Sequence, residues 1–139
     1  MQFNRIFVKS DETVDISVYF SKEGNIDVLS TQSYKALPDE DKERYDEFRV
    51  TFKVPNFGAA KMIMRNSLDD SGNMHIGLFN NALLNLLAVS WNVTDENEEE
   101  IPVDVAKLNE MRPDIAGALV QLLTDKLDEL KIYSSILLS

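Results

Sequence analysis

The chain has 139 residues, 44% of them hydrophobic, with 24 Asp and Glu against 14 Lys and Arg for a net charge of −10. That length suits one domain with a real core, and so negative a surface repels phosphate backbones and argues against nucleic-acid binding. Cysteine is absent, which excludes disulfides, thiolate zinc sites and cysteine nucleophiles together.

No early apolar run reads as a secretory signal, and no stretch approaches the roughly 18 apolar residues of a membrane span. A cytosolic protein is expected. Residues 3–9 predict a weak strand. Val14, Ile16, Val18 and Phe20 then alternate with Asp15, Ser17 and Tyr19, as in a half-buried strand. Lys22-Glu23-Gly24-Asn25 is turn chemistry, after which residues 26–30 return as a hairpin partner. Pro38, followed by Asp39, Glu40 and Asp41, opens a short solvated helix over residues 39–45. Phe48, Val50, Phe52 and Val54 alternate with Arg49, Thr51 and Lys53 in the clearest strand, which Pro55 ends.

After Pro55 the chain changes character. Asn56 caps a predicted helix over residues 57–66 that sets Phe57, Ala60 and Met64 on one face. A loop of turn formers, Asp69-Asp70-Ser71-Gly72-Asn73, leads into a long helix predicted over residues 74–92. That helix is apolar over most of its circumference, with a narrow stripe of Asn81, Asn85, Ala88 and Asn92. Its Leu83, Leu84, Leu86 and Leu87 are expected to dominate the core, each contributing about 1.5–3 kcal/mol when buried. Trp91, the only tryptophan, suits either the core, with its indole N–H reaching the loop, or an interface anchor.

The acidic run Asp95-Glu96-Asn97-Glu98-Glu99-Glu100 follows, then Ile101-Pro102-Val103. Asp104 caps a short helix to Met111, and Pro113 opens the last helix. Ile115, Leu119, Leu122, Leu123, Leu127 and Leu130 form its apolar side. The tail, residues 132–139, is again apolar. It either folds back on the core or enters a partner's groove. The fold expected is α+β: an N-terminal antiparallel sheet of about four strands in residues 1–55, then a bundle of about four helices in residues 56–139, taken together as one domain.

Chemistry is hard to find. An EF-hand loop starting at Asp95 needs glycine at its sixth position and glutamate at its twelfth, where this chain has Glu100 and Ala106. His75 is the only histidine, too few for a zinc site without thiols, and no nucleophile motif frames Ser67, Ser71 and Asp70 around it. No P-loop, GxGxxG or GxSxG motif occurs. The residues therefore point to no catalytic group, no cofactor and no metal, and to a protein that is not an enzyme.

Three pieces resemble small tailed-bacteriophage proteins of the tail assembly chaperone type. They are Phe52-Lys53-Val54-Pro55-Asn56-Phe57-Gly58, Ser90-Trp91-Asn92-Val93-Thr94-Asp95, and Ile101-Pro102-Val103 followed by Leu108-Asn109-Glu110-Met111-Arg112-Pro113. With the terminal helix they span residues 48–130. Where the resembled proteins usually carry a glycine in the turn, Asn97 and Glu98 stand here. The resemblance implies a non-enzymatic role in the host cytoplasm: binding an apolar tape-measure-type protein, keeping it soluble and helping tail-tube subunits polymerise around it. Apolarity alone places the candidate partner-binding residues at Trp91, Leu119, Leu123, Leu127, Ile136, Leu137 and Leu138. The expected partner is a tape-measure or tail-tube type protein, without nucleic acid or membrane, and self-association stays open. The residues also admit a virion subunit of the tail or baseplate, or an acidic decoy of a nucleic-acid-binding protein. Whether residues 95–100 meet a cation or a basic protein is open as well.

Overall fold

A computed structural model describes residues 6–23 and 28–132. Four strands form one antiparallel sheet: β1 (Thr13–Ser21), β2 (Val28–Ser30), β3 (Tyr45–Lys53) and β4 (Ala88–Trp91), in the spatial order β2-β1-β3-β4. The period-two pattern of β1 and β3 explains their register. Val14 sits opposite Phe52, Ile16 opposite Val50 and Val18 opposite Phe48, so every apolar residue of the pair shares one face. That face is buried. The other face carries a polar network: Ser17 and Tyr19 each donate to the Glu47 carboxylate at 2.8 and 3.2 Å, and Thr51 donates to Asp15 at 2.6 Å.

Two short helices, α1 (Thr31–Lys35) and α2 (Asp39–Lys42), connect β2 to β3. The first is stapled to the outer face by Tyr34, which stacks on Tyr19 with ring centroids 3.8 Å apart. The second ends earlier than expected, because Tyr45 already opens the strand. Residues 6–9 form no strand, and the rest of that expectation, residues 3–5, lies outside the described residues, as does the turn at Gly24-Asn25.

Four helices follow: α3 (Phe57–Asn66), α4 (Ile76–Leu87), α5 (Val105–Asn109) and α6 (Pro113–Glu129). Local sequence fixes three of their starts. Asn56 accepts from the Ala59 N–H at 2.9 Å, Asp104 accepts from the Lys107 N–H at 2.7 Å, and Pro113 sits in the first turn of α6. α4 packs against α3, α5 and α6, while α6 also packs against β1 and β2. Sheet and helices share one hydrophobic cluster, with Phe52, Ile63, Phe79, Leu83, Leu119 and Leu123 among its fully buried members.

The long helix expected over residues 74–92 is shorter. It ends at Leu87, and residues 88–91 turn into the strand β4 along the free edge of β3. The reason is tertiary. The N–H and C=O groups on that edge of β3 need partners, and Val89 and Trp91 suit a strand as well as a helix. Asn92, placed on a helical stripe by its spacing, instead extends the ladder with its side chain. Its Oδ1 accepts from the Arg49 N–H at 2.9 Å, and its Nδ2 donates to the Glu47 carbonyl at 3.0 Å.

Two core expectations also shift. Phe57 is 69% exposed, while Ile63 takes the buried place on α3 beside Ala60. Leu86 points outward, unlike Leu83, Leu84 and Leu87.

Candidate functional site

The residues singled out for partner binding divide into two groups. Leu119, Leu123 and Leu127 are fully buried against the sheet and α4, and Trp91 is 7% exposed. The Trp91 indole N–H donates to the Ile101 carbonyl at 2.5 Å, and its ring lies 6.0 Å from that of Phe48. All four therefore belong to the chain's own core, and none offers a surface to a partner. The apolar side of α6 is amphipathic because the sheet needs covering. Ile136, Leu137 and Leu138 lie outside the described residues.

The acidic run is a tight turn. The Asp95 carboxylate accepts from the N–H groups of Asn97 and Glu99 at 2.8 and 3.0 Å, so it serves the backbone. His75 is the N-cap of α4, and its Nδ1 accepts from the Leu78 N–H at 3.3 Å. Arg49 pairs with Glu47 at 3.3 Å on the outer sheet face. Among the described residues, no three His, Cys, Asp or Glu side chains gather as metal ligands would, and no helix is long and apolar enough to cross a membrane.

The surface apolarity lies elsewhere. Of the twelve large apolar side chains exposed among the described residues, eight fall between Phe57 and Val89, on α3, α4 and their flanks. Concentration in one helix pair is what separates an interaction surface from scattered exposed residues. Between α3 and α4 runs a groove of about 230 Å³ lined by Asn66, Leu78, Asn81, Ala82, Asn85 and Leu86. Met62, half exposed, lies one helical turn before Asn66, whose Nδ2 donates to the Met62 carbonyl at 2.8 Å.

A turn holds the two helices in place. Leu68 pairs with Met74, the Asp69 N–H donates to the Asn73 carbonyl at 2.8 Å, and the His75 N–H donates to the Ser67 carbonyl at 2.9 Å. Ser67 is fully buried, and its hydroxyl donates to the Ile63 carbonyl at 2.5 Å.

Two electrostatic features mark this helix pair. Asn85 Oδ1 is buried without a hydrogen-bond partner, the only such side-chain atom among the described residues. None of the 24 Asp and Glu residues lies on α3 or α4, whereas α3 carries Lys61 and Arg65. Lys61 sits over the Phe57 ring at 4.5 Å, and neither cation forms a salt bridge among the described residues. The sequence held one visible signal of this site: the stripe Asn81 and Asn85 on an otherwise apolar helix. The outward turn of Met62, Leu78 and Leu86 was invisible, because apolar residues on a helix look alike until the core chooses its face.

No family model matches the chain, and no curated protein or solved structure matches it.

Proposed function

We propose that this chain is a non-enzymatic interaction protein that covers apolar helices of a partner, in the manner of a tail assembly chaperone acting on a tape-measure-type protein. One observation carries the proposal: the exposed apolar side chains concentrate on α3, α4 and their flanks, with Leu78 and Leu86 lining a groove between the two helices. A groove between two helices matches the way an amphipathic partner helix is gripped, with anchors at helical spacing. The resemblance in residues 48–130 supports the phage setting and the host cytoplasm as the place of action. In this reading α3 to α6 act as one C-terminal bundle, the sheet is its platform, and the acidic remainder of the surface keeps the loaded complex soluble.

The test is co-expression with a tape-measure-type fragment. The expected result is a soluble complex that elutes as one species and is lost in the Met62→Glu, Leu78→Glu double variant. A fragment that stays insoluble beside a folded, soluble chain overturns the proposal.

A further inference from the structure

The strand β1 is covered along its whole length on one edge and for only three residues on the other. β3 pairs with it from Thr13 to Ser21, whereas β2 reaches only Val18 to Phe20. The phase of the ladder decides which groups are left bare. The Val54 N–H donates to the Glu12 carbonyl at 3.0 Å, and the Lys22 N–H donates to the Arg44 carbonyl at 2.9 Å. Bonded pairs alternate in an antiparallel ladder. The even-numbered residues of β1 therefore bond to β3, and the odd-numbered ones turn their backbone groups to the other edge. There the Thr31 hydroxyl donates to the Ser17 carbonyl at 3.1 Å. Next along the edge, the N–H and C=O groups of Thr13 and Asp15 have no partner among the described residues. A slot of about 250 Å³ adjoins this edge, with Asp15, Ile16 and Ser17 on one side and Leu122, Asp125 and Glu129 of α6 on the other.

We propose that this slot takes an extended, basic segment of a partner protein as an added strand, continuing the line of β2. Main chain is what a bare strand edge matches, and the side chains around the slot select the sequence. Alternate residues of an added strand point to opposite faces. Those turned inward meet Ile16 and the half-buried Leu122. Those turned outward lie beside Asp15. The Asp15 and Asp125 carboxylates both line the slot, and neither forms a salt bridge among the described residues. Glu129 is matched by Lys126 at 3.4 Å. An occupant that alternates apolar residues with Lys or Arg suits both faces, and the net charge of −10 steers it in. A second copy is a poor occupant, because a two-fold contact turns the same edge on itself and brings both sets of carboxylates into one short interface. The chain's own ends fit no better. Residues 133–139 carry no basic side chain, and Lys9 and Ser10 lie with Lys53 and Val54 on the β3 side. The slot is separate from the α3–α4 groove, so this inference does not rest on the docking role proposed above.

The probes are blocked peptides of about nine residues, a usual strand length, alternating Val with Lys or Val with Glu and titrated against the full chain. The Lys peptide is expected to bind at least tenfold tighter than the Glu peptide, and to slow exchange of the Thr13 and Asp15 amides while leaving α3 and α4 unchanged. The same Lys peptide with every backbone nitrogen methylated keeps its charge but donates no hydrogen bond, and should lose at least tenfold. In the Asp15→Asn, Asp125→Asn double variant the preference for Lys over Glu should shrink severalfold with thermal unfolding little changed, because each amide keeps the acceptor oxygen used by Thr51 and Gln121. Equal binding of the methylated and unmethylated Lys peptides overturns the inference, since charge alone then attracts them. Failure of the Lys peptide to bind, or tighter binding by the Glu peptide, overturns it too. So does slow exchange of the Asp15 amide in the chain alone: the edge is then already covered, by a second copy if dilution speeds the exchange and by the chain's own ends if it does not. Each of these results leaves the α3–α4 docking role standing.

Discussion

Glu98 and Gly72 occupy the same place in two turns of the same build. In one, Asp69 Oδ1 accepts from the N–H groups of Ser71 and Asn73, the Gly72 N–H donates to the Asp69 carbonyl at 2.9 Å, and Gly72 has φ +80°. In the other, Asp95 Oδ1 accepts from Asn97 and Glu99, the Glu98 N–H donates to the Asp95 carbonyl at 3.1 Å, and Glu98 has φ +62°. The left-handed conformation costs an L-residue roughly 1–2 kcal/mol, which glycine avoids at some expense in unfolded-state entropy. Glu98→Gly should therefore stabilise the protein by about 0.5–1 kcal/mol in urea unfolding. Gly72→Ala should destabilise it by about 1 kcal/mol from the backbone alone, because nothing lies within 4 Å of the added Cβ.

Asn92 is expected to matter as a surrogate for backbone. Its Oδ1 and Nδ2 serve Arg49 N–H and Glu47 carbonyl beyond the end of β4. Asn92→Ala removes both bonds and should cost about 1–2 kcal/mol. Asn92→Asp keeps the acceptor for Arg49 but sets a carboxylate oxygen against the Glu47 carbonyl where the amide donated, so its unfolding midpoint should also fall clearly below wild type.

The split between core and surface on the helices gives a second stability contrast. Leu127→Ala should cost about 2–5 kcal/mol, because Leu127 is fully buried. Leu78→Ala, at a side chain 37% exposed, should cost about 1 kcal/mol or less. Similar losses at both positions in denaturant unfolding would contradict the assignment of α6 to the core.

Asp114 gives the acid-side prediction. The Arg112 guanidinium, through hydrogen bonds of 3.2 and 3.0 Å, and then the Ile115 N–H hold the Asp114 carboxyl below its usual range. A lowered folded pKa contributes stability above the ordinary carboxylate pKa, and that contribution is lost as pH falls through the folded value. In an NMR titration Asp114 should be among the last carboxylates to protonate, and Arg112→Gln should raise its midpoint. On the alkaline side, burial and then the Glu47 charge raise the Tyr19 phenol, so its contribution is present below pH about 10 and lost above it.

The parts of the fold legible in the sequence are those set locally. Asn56, Asp104 and Pro113 announce helix starts because a cap or a fixed φ acts within one turn, and the alternation in β1 and β3 is a property of each strand alone. What stayed hidden was decided at a distance. Residues 88–91 read as helix because they continue an apolar run, yet the free edge of β3 makes them a strand. The leucines of α6 read equally well as a partner surface or a core face, and only the sheet above them decides. For the same reason the groove was half legible: Asn81 and Asn85 marked a side of α4, but nothing in the sequence said that α3 would bring Asn66 beside it.

The most direct test of the docking face is hydrogen–deuterium exchange on the chain with and without a bound tape-measure-type fragment. Binding at the groove predicts slowed exchange in α3 and α4, with α6 and the sheet unchanged. Protection confined to α6, or spread evenly over the whole chain, would contradict it.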